Sequence, residues 1–181
     1  ALVEMLRLKE ELREINDPRT EALVTNSIGV VSRRLGDYQT AIAQYQDVIA
    51  ISEEHGFDDL LAGAYNHIGV VSIWIGRSER SVSYFERARD LYGSMDEPGG
   101  RLDALINLGS AAFETKAWNT STSYLEDARS VAMELGDELS LGTIETGLGN
   151  SLLRGSGPDA AIPHYTAALD IARDYEIPDL V

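Results

Sequence analysis

The sequence predicts an all-α fold, an α-solenoid built from antiparallel helix pairs. Three observations carry that prediction. The chain aligns with itself at a period of 40 residues without a gap, in blocks beginning at Glu21, Leu61, Arg101 and Leu141. Apolar residues recur at helical spacing in both halves of each block. A short break rich in turn formers separates the halves. A repeat of this length is the signature of stacked supersecondary units, each too small to bury its apolar face alone.

The columns of the alignment have physical meanings. An Ile-Gly or Leu-Gly pair recurs at Ile28-Gly29, Ile68-Gly69, Leu108-Gly109 and Leu148-Gly149. A small residue follows at Ala41, Ser81, Ser121 and Ala161, then a large apolar one at Tyr45, Phe85, Leu125 and Tyr165. Val48, Ala88, Ala128 and Ala168 complete the series. In the first half Val24, Ile28 and Val31 share one helical face, as do Ala104, Leu108 and Ala111; in the second half Ala41, Tyr45 and Val48 do so. The glycine and the small residue let two helices approach, and the aromatic or leucine fills the gap between them.

The breaks read as helix punctuation. Leu35-Gly36-Asp37-Tyr38, Ile75-Gly76-Arg77-Ser78 and Gly155-Ser156-Gly157-Pro158 divide the blocks. Gly36 suits a left-handed helix end, and Pro158 suits the first turn of the next helix. Asp37 and Ser78 are expected to supply cap oxygens to orphan amides. His55-Gly56-Phe57, Leu135-Gly136-Asp137 and Tyr175-Glu176-Ile177 close blocks, and Ile15-Asn16-Asp17 has the same character. The expected organisation is one domain over residues 1–181. Residues 1–20 hold the second helix of a truncated repeat, and 21–60, 61–100, 101–140 and 141–180 hold four full repeats. The chain stops at Leu180-Val181, where another block would open, and so reads as an excised fragment.

Composition narrows the function classes. Hydrophobic residues make up 44% and charged residues 25%, as in an ordinary globular domain. No apolar run approaches the roughly 20 residues of a membrane-spanning helix, and no signal segment opens the chain. Cysteine is absent, which excludes disulfides, thiolate metal sites and cysteine nucleophiles. That absence is compatible with a reducing compartment, and a cytoplasmic location is the expectation. The formal net charge of −15 argues against nucleic acid and against an anionic membrane surface. It favours steering of a cationic partner.

These columns resemble the tetratricopeptide repeat, with its Leu-Gly pair in the first helix and its small–aromatic–Ala series in the second. The resemblance covers essentially the whole chain. Most such repeats span about 34 residues, and the longer period here is similar to the variety found in multidomain signalling and regulatory proteins. Thr25, Tyr65, Leu105 and Glu145 stand where the family has an early Trp, and the closing Pro is missing. The resemblance implies a right-handed superhelix with first helices lining a concave face, which holds an extended peptide or a helix of a partner protein.

Carried onto this sequence, the family's groove positions are Asn26, Val30, Arg33 and Arg34 in the first block, and Asn66, His67, Val70 and Trp74 in the second. The third contributes Asn107, Ser110 and Glu114, and the fourth Asn150 and Arg154. Asparagine both donates to and accepts from a peptide backbone, though it also serves by bonding to the next repeat. Trp74 is an anchor for a partner's apolar side chain, or else is packed between helices. Arg33-Arg34 is an anion clamp, solvated charge, or a partner for Asp37. Arg77, Arg80, Arg87 and Arg89, interleaved with Glu79, Glu86 and Asp90, read as a salt-bridged outer face.

No catalytic residue, metal site or cofactor is expected. His55, His67 and His164 fall in different blocks without ligand spacing, and no nucleophile elbow or phosphate loop is present. A protein-binding module is the leading function class. A sensor for a small signalling peptide or ligand, controlling an attached effector domain, is the alternative. Self-association is another: both ends would present uncovered helix faces, with Ala1, Leu2, Met5 and Leu8 apolar at one of them, so a homodimer is a further expectation.

Overall fold

Helix boundaries follow the repeat at intervals of half its period. A computed structural model describes residues 2–174. Among them are α1 (Leu2–Glu14), α2 (Pro18–Arg34), α3 (Tyr38–His55), α4 (Asp58–Trp74), α5 (Ser78–Ser94), α6 (Pro98–Glu114), α7 (Trp118–Leu135), α8 (Glu138–Gly155) and α9 (Pro158–Asp174). From α2 onward the helices start every 20 residues. First helices begin three residues ahead of the aligned block origins, and α1 lies in the register of the second helices. Ala1, Tyr175-Glu176-Ile177 and Leu180-Val181 lie outside the described residues.

One turn geometry is used throughout. After each helix from α1 to α8, an amide returns to the carbonyl five residues earlier, as in Asp37 N to Ser32 O at 2.9 Å and Arg77 N to Ser72 O at 2.7 Å. That six-to-one bond satisfies a carbonyl which the helix end would otherwise leave orphaned. The turn needs a left-handed residue. Gly36 supplies it with φ 79°, but Lys116 must adopt φ 62° with a full side chain. Asp17, Asp37 and Asp137 then cap the following helices, accepting from the amides of Thr20, Thr40 and Ser140 at 3.1 Å each. Ser78 departs from expectation. It is the first residue of α5, the cap position belongs to Arg77, and no side-chain cap bond forms there.

By contacts the chain falls into two units, one through Glu97 and one from Pro98. In the first, α2 pairs with α3 and α4 with α5, while α3 packs on α4 and α1 on α2. In the second, α6, α7, α8 and α9 pack consecutively. First helices also touch one another within each unit, α2 against α4 and α6 against α8.

The aligned columns are the core. A Cβ built on Gly69 would lie 2.5 Å from Phe85 Cε1, and one on Gly29 would lie 2.6 Å from Tyr45 Cε1. In the second unit the corresponding approaches are Gly109 to Leu125 Cγ at 2.6 Å and Gly149 to Tyr165 Cε1 at 2.5 Å. Ala41, Ser81, Ser121 and Ala161 are buried beside them. The family's early Trp position is buried as well, with different chemistry in each unit. In the first, the Tyr65 hydroxyl donates to Glu53 at 3.1 Å and accepts from Arg87 at 3.2 Å. In the second, Glu145 is buried against His164 Nδ1 at 2.7 Å, with Arg129 at 3.6 Å. A buried carboxylate without such partners would carry a desolvation cost of several kcal/mol.

On α5, the helix of the expected ion-paired face, Arg89 pairs with Asp90 at 2.8 Å, and Arg87 turns onto the Tyr65 ring, 5.3 Å from its centroid. The first helix contributes a buried leucine, Leu12, and a buried charge. Lys9 is buried, and its Nζ meets Asp47 at 2.8 Å and Gln44 at 2.9 Å on α3.

Candidate functional site

Helical periodicity puts the thirteen candidate groove residues on first helices, and the structure places them on α2, α4, α6 and α8. Whether they act together depends on what each side chain touches.

In the first unit, Arg33 and Trp74 meet. The Arg33 guanidinium lies over the Trp74 ring, 5.1 Å from its centroid, and Tyr38 meets the same indole edge-on at 6.0 Å. Trp74 remains 53% exposed, so the group presents an aromatic face to solvent. Arg33 makes no ion pair with Asp37, and Arg34 is exposed one residue further. Val30 packs against the cluster of Ala41, Tyr45, Ile68 and Val71. Asn26, Asn66 and Val70 are partly buried on the same two helices.

His67 does more than its sequence context suggests. Its ring stacks on Tyr45 with centroids 5.0 Å apart and planes tilted by 34°. Burial holds its pKa below the ordinary histidine value, and the nearby Arg33 charge lowers it further. Burial pushes the Tyr45 phenol up, an effect that Arg33 partly offsets. The Arg33 guanidinium lies close enough to draw the Tyr45 phenol down, yet neither the Tyr45 hydroxyl nor Arg33 Nε has a partner at hydrogen-bond geometry. Each such group costs about 1–3 kcal/mol.

In the second unit, Ser110, Glu114 and Asn150 converge on one opening of about 280 Å³ between α6, α7 and α8. Gly109, Gly147 and Leu125 form its floor, and Ile106 and Phe113 its apolar walls. Phe113 is steadied by Trp118, the ring centroids lying 5.0 Å apart. The Asn150 carbonyl oxygen accepts from the Tyr165 hydroxyl at 2.8 Å, which directs its amide N–H groups to other acceptors. Ser121 and Ser151 line the opening as well, and Ser121 Oγ lies 2.8 Å from both the Gly109 carbonyl and Ser151 Oγ. Ser151 Oγ lies 2.9 Å from the Gly147 carbonyl. Asn107 is partly buried on α6, and Arg154 is exposed in the last turn of α8; neither lines the opening.

Sequence reasoning missed Tyr45, Leu125, Gly147 and the two serines as parts of these faces. The signal was present in the alignment, where Leu125 breaks an otherwise aromatic column. Among the described residues, no group of three His, Cys, Asp or Glu could hold a metal ion, and no helix is long and apolar enough to cross a membrane.

Residues 22–55 match the family model for the tetratricopeptide repeat. No curated protein matches the chain in sequence. Among solved structures, BtubC (BKLC) from P. vanneervenii is 18% identical with a TM-score of 0.83, over 91% of this chain and 68% of its own. Aspartyl phosphate phosphatase F from Bacillus subtilis is 13% identical with a TM-score of 0.86, over 96% and 45%. A Rap protein complexed with competence and sporulation factor is 12% identical with a TM-score of 0.81, over 97% and 49%. At these identities the likeness concerns fold alone, and the chain spans about half the length of the last two. The matched segment carries the same Gly, small and large apolar columns that recur in the three blocks after it, and all four glycines pack against their partners in the same way. Residues 22–55 are a tetratricopeptide repeat, and the chain has an all-α, helical-repeat fold that carries the same columns four times.

Proposed function

We propose that the chain binds a partner polypeptide on the faces of its first helices, α2 with α4 in one unit and α6 with α8 in the other. The convergence of Ser110, Glu114 and Asn150 on one partly apolar opening carries this reading. Such a surface combines apolar anchoring with a few placed polar groups, which is how ligand sites gain both affinity and orientation. Asn150 supplies amide donors for backbone carbonyls. Glu114 supplies a carboxylate for a basic side chain, in keeping with a chain of net charge −15. Trp74, backed by Arg33 and Tyr38, is an aromatic anchor of the kind that dominates binding energy. The same acidic balance supports a reading without nucleic acid, and the lack of cysteine fits a cytoplasmic setting. We assign the chain no catalytic step.

The test is affinity selection from an unbiased peptide library, with Trp74→Ala and Glu114→Gln as comparisons. Selected peptides should lose roughly tenfold or more in affinity with Trp74→Ala, the usual scale for an aromatic hot spot. Affinities untouched by both substitutions would move the site off the first helices.

A second reading treats the ligand as a small signalling peptide or molecule whose binding sets the state of an attached effector domain. The Rap protein complexed with competence and sporulation factor supports it. Short free peptides that bind as tightly as folded proteins bearing them would favour it. Self-association draws support from α9, where Ile162 and Leu169 are about half exposed. Sedimentation at increasing concentration tests it, and a constant monomer mass would remove it.

A further inference from the structure

The same place in the two units is filled in one and open in the other. Tyr45 and His67 of the first unit correspond, 80 residues later, to Leu125 and Gly147 of the second. Two stacked rings therefore give way to one isobutyl group and a bare backbone. The opening of about 280 Å³ lies there, bounded by both of those residues. It exceeds the roughly 150 Å³ in which a single benzene ring is held by a buried cavity.

A second pair of substitutions accompanies the first. Ala41 and Val71 correspond to Ser121 and Ser151, so where two rings are lost two hydroxyls are gained. Ser121 and Ser151 have one proton each, and both are used inside the fold, on the Gly109 carbonyl, on the Gly147 carbonyl or between the two hydroxyl oxygens. What the pair has left to offer the opening is acceptor lone pairs, so an incoming group bonds to it by donating. At the rim stands the Glu114 carboxylate, which favours a donor or a basic neighbour on the incoming chain and disfavours an acid.

We propose that this opening takes an aromatic side chain with a hydrogen-bond donor at its tip, such as tyrosine, from the partner polypeptide. The inference rests on the polypeptide-binding reading and names what that polypeptide inserts. The ring occupies the space over Gly109 and Gly147 against Leu125, and its donor reaches the Ser121–Ser151 pair. The contact gives specificity: an aliphatic side chain leaves the pocket underfilled and the serine lone pairs unused.

The test uses two small probes, 4-methylphenol and toluene, titrated against the whole isotope-labelled chain while amide NMR shifts are followed. The phenol should shift the amides of Gly109, Gly147 and Ser151 saturably, with at least threefold higher affinity than toluene. Leu125→Phe restores the ring type of its column, should keep or raise the melting temperature, and should abolish the response. Ser151→Val restores the residue type of Val71 and should reduce the phenol to the affinity of toluene. Silent amides, shifts that persist in Leu125→Phe, or equal affinities for the two probes would overturn the proposal. A library that selects peptides without aromatic enrichment, together with silent probes, sinks this pocket and leaves polypeptide binding standing. Probe binding with no selected peptide would instead retain the pocket and remove the polypeptide reading.

Discussion

The Tyr45 and His67 rings stack 5.0 Å apart within the first unit, with the Arg33 charge beside both. This arrangement keeps His67 neutral in the fold. In the unfolded chain it would protonate near pH 6.5. Between the lowered folded pKa and that value, the unfolded state binds more protons, so the fold loses stability as pH falls. The contribution of His67 is present above about pH 6.5 and is lost as pH drops towards the folded pKa, below which it levels off. Urea unfolding from pH 8 to pH 5 should show a steeper loss for the wild type than for His67→Gln. Parallel curves would mean the imidazole titrates freely.

Tyr45→Phe should stabilise the protein. The ring fills the space against Gly29, but its hydroxyl is buried without a partner. Removing that group deletes an unmet polar cost while keeping the packing, a gain of roughly 1 kcal/mol. A denaturant midpoint lower than that of the wild type would show that the hydroxyl is satisfied in solution.

Gly69→Ala should destabilise, although alanine is the better helix former by about 1 kcal/mol. Its Cβ would sit 2.5 Å from the buried Phe85 ring, and overpacking of this kind costs about 1–3 kcal/mol. In a Phe85→Ala background, where the ring atoms that the methyl group would meet are gone, Gly69→Ala should cost less than in the wild type. An equal cost in the two backgrounds would place it elsewhere than in that contact.

Lys116→Gly should raise stability. Lys116 holds φ 62° in the turn before α7, where a glycine occupies the corresponding place at Gly36, Gly56, Gly76 and Gly136. A lysine in the left-handed region costs about 1 kcal/mol that glycine avoids, part of it offset by glycine's greater freedom when unfolded. Thermal unfolding should shift upward by a few degrees, as a gain of this size implies for a domain near this length. Gly36→Lys should shift it down.

The columns that build the core were legible because they are local and periodic: each glycine precedes its large apolar partner by a constant 16 residues, and the structure brings the two into contact. The face of the first helices was legible for the same reason. Turn conformation was only partly so. Glycine announces a left-handed residue at position 36, but nothing about Lys116 or Asp96 does, since the conformation there is imposed by the six-to-one bond. Ser78 failed as a cap because residue type alone does not place the helix start to within one position. The opening in the second unit depends on Leu125 and Gly147 together, and which residues oppose each other across three helices is not written in helical period. The burial of Glu145 was equally hidden, because its partners His164 and Arg129 come from separate helices.

One measurement bears most directly on polypeptide binding: amide shift mapping of the labelled chain with a library-selected peptide at saturation. The largest shifts should fall on α6 and α8 around Ser110, Glu114, Gly147 and Asn150, and on α2 and α4 beside Arg33 and Trp74. Shifts confined to the second helices α3, α5, α7 and α9 would contradict the assignment of the binding face.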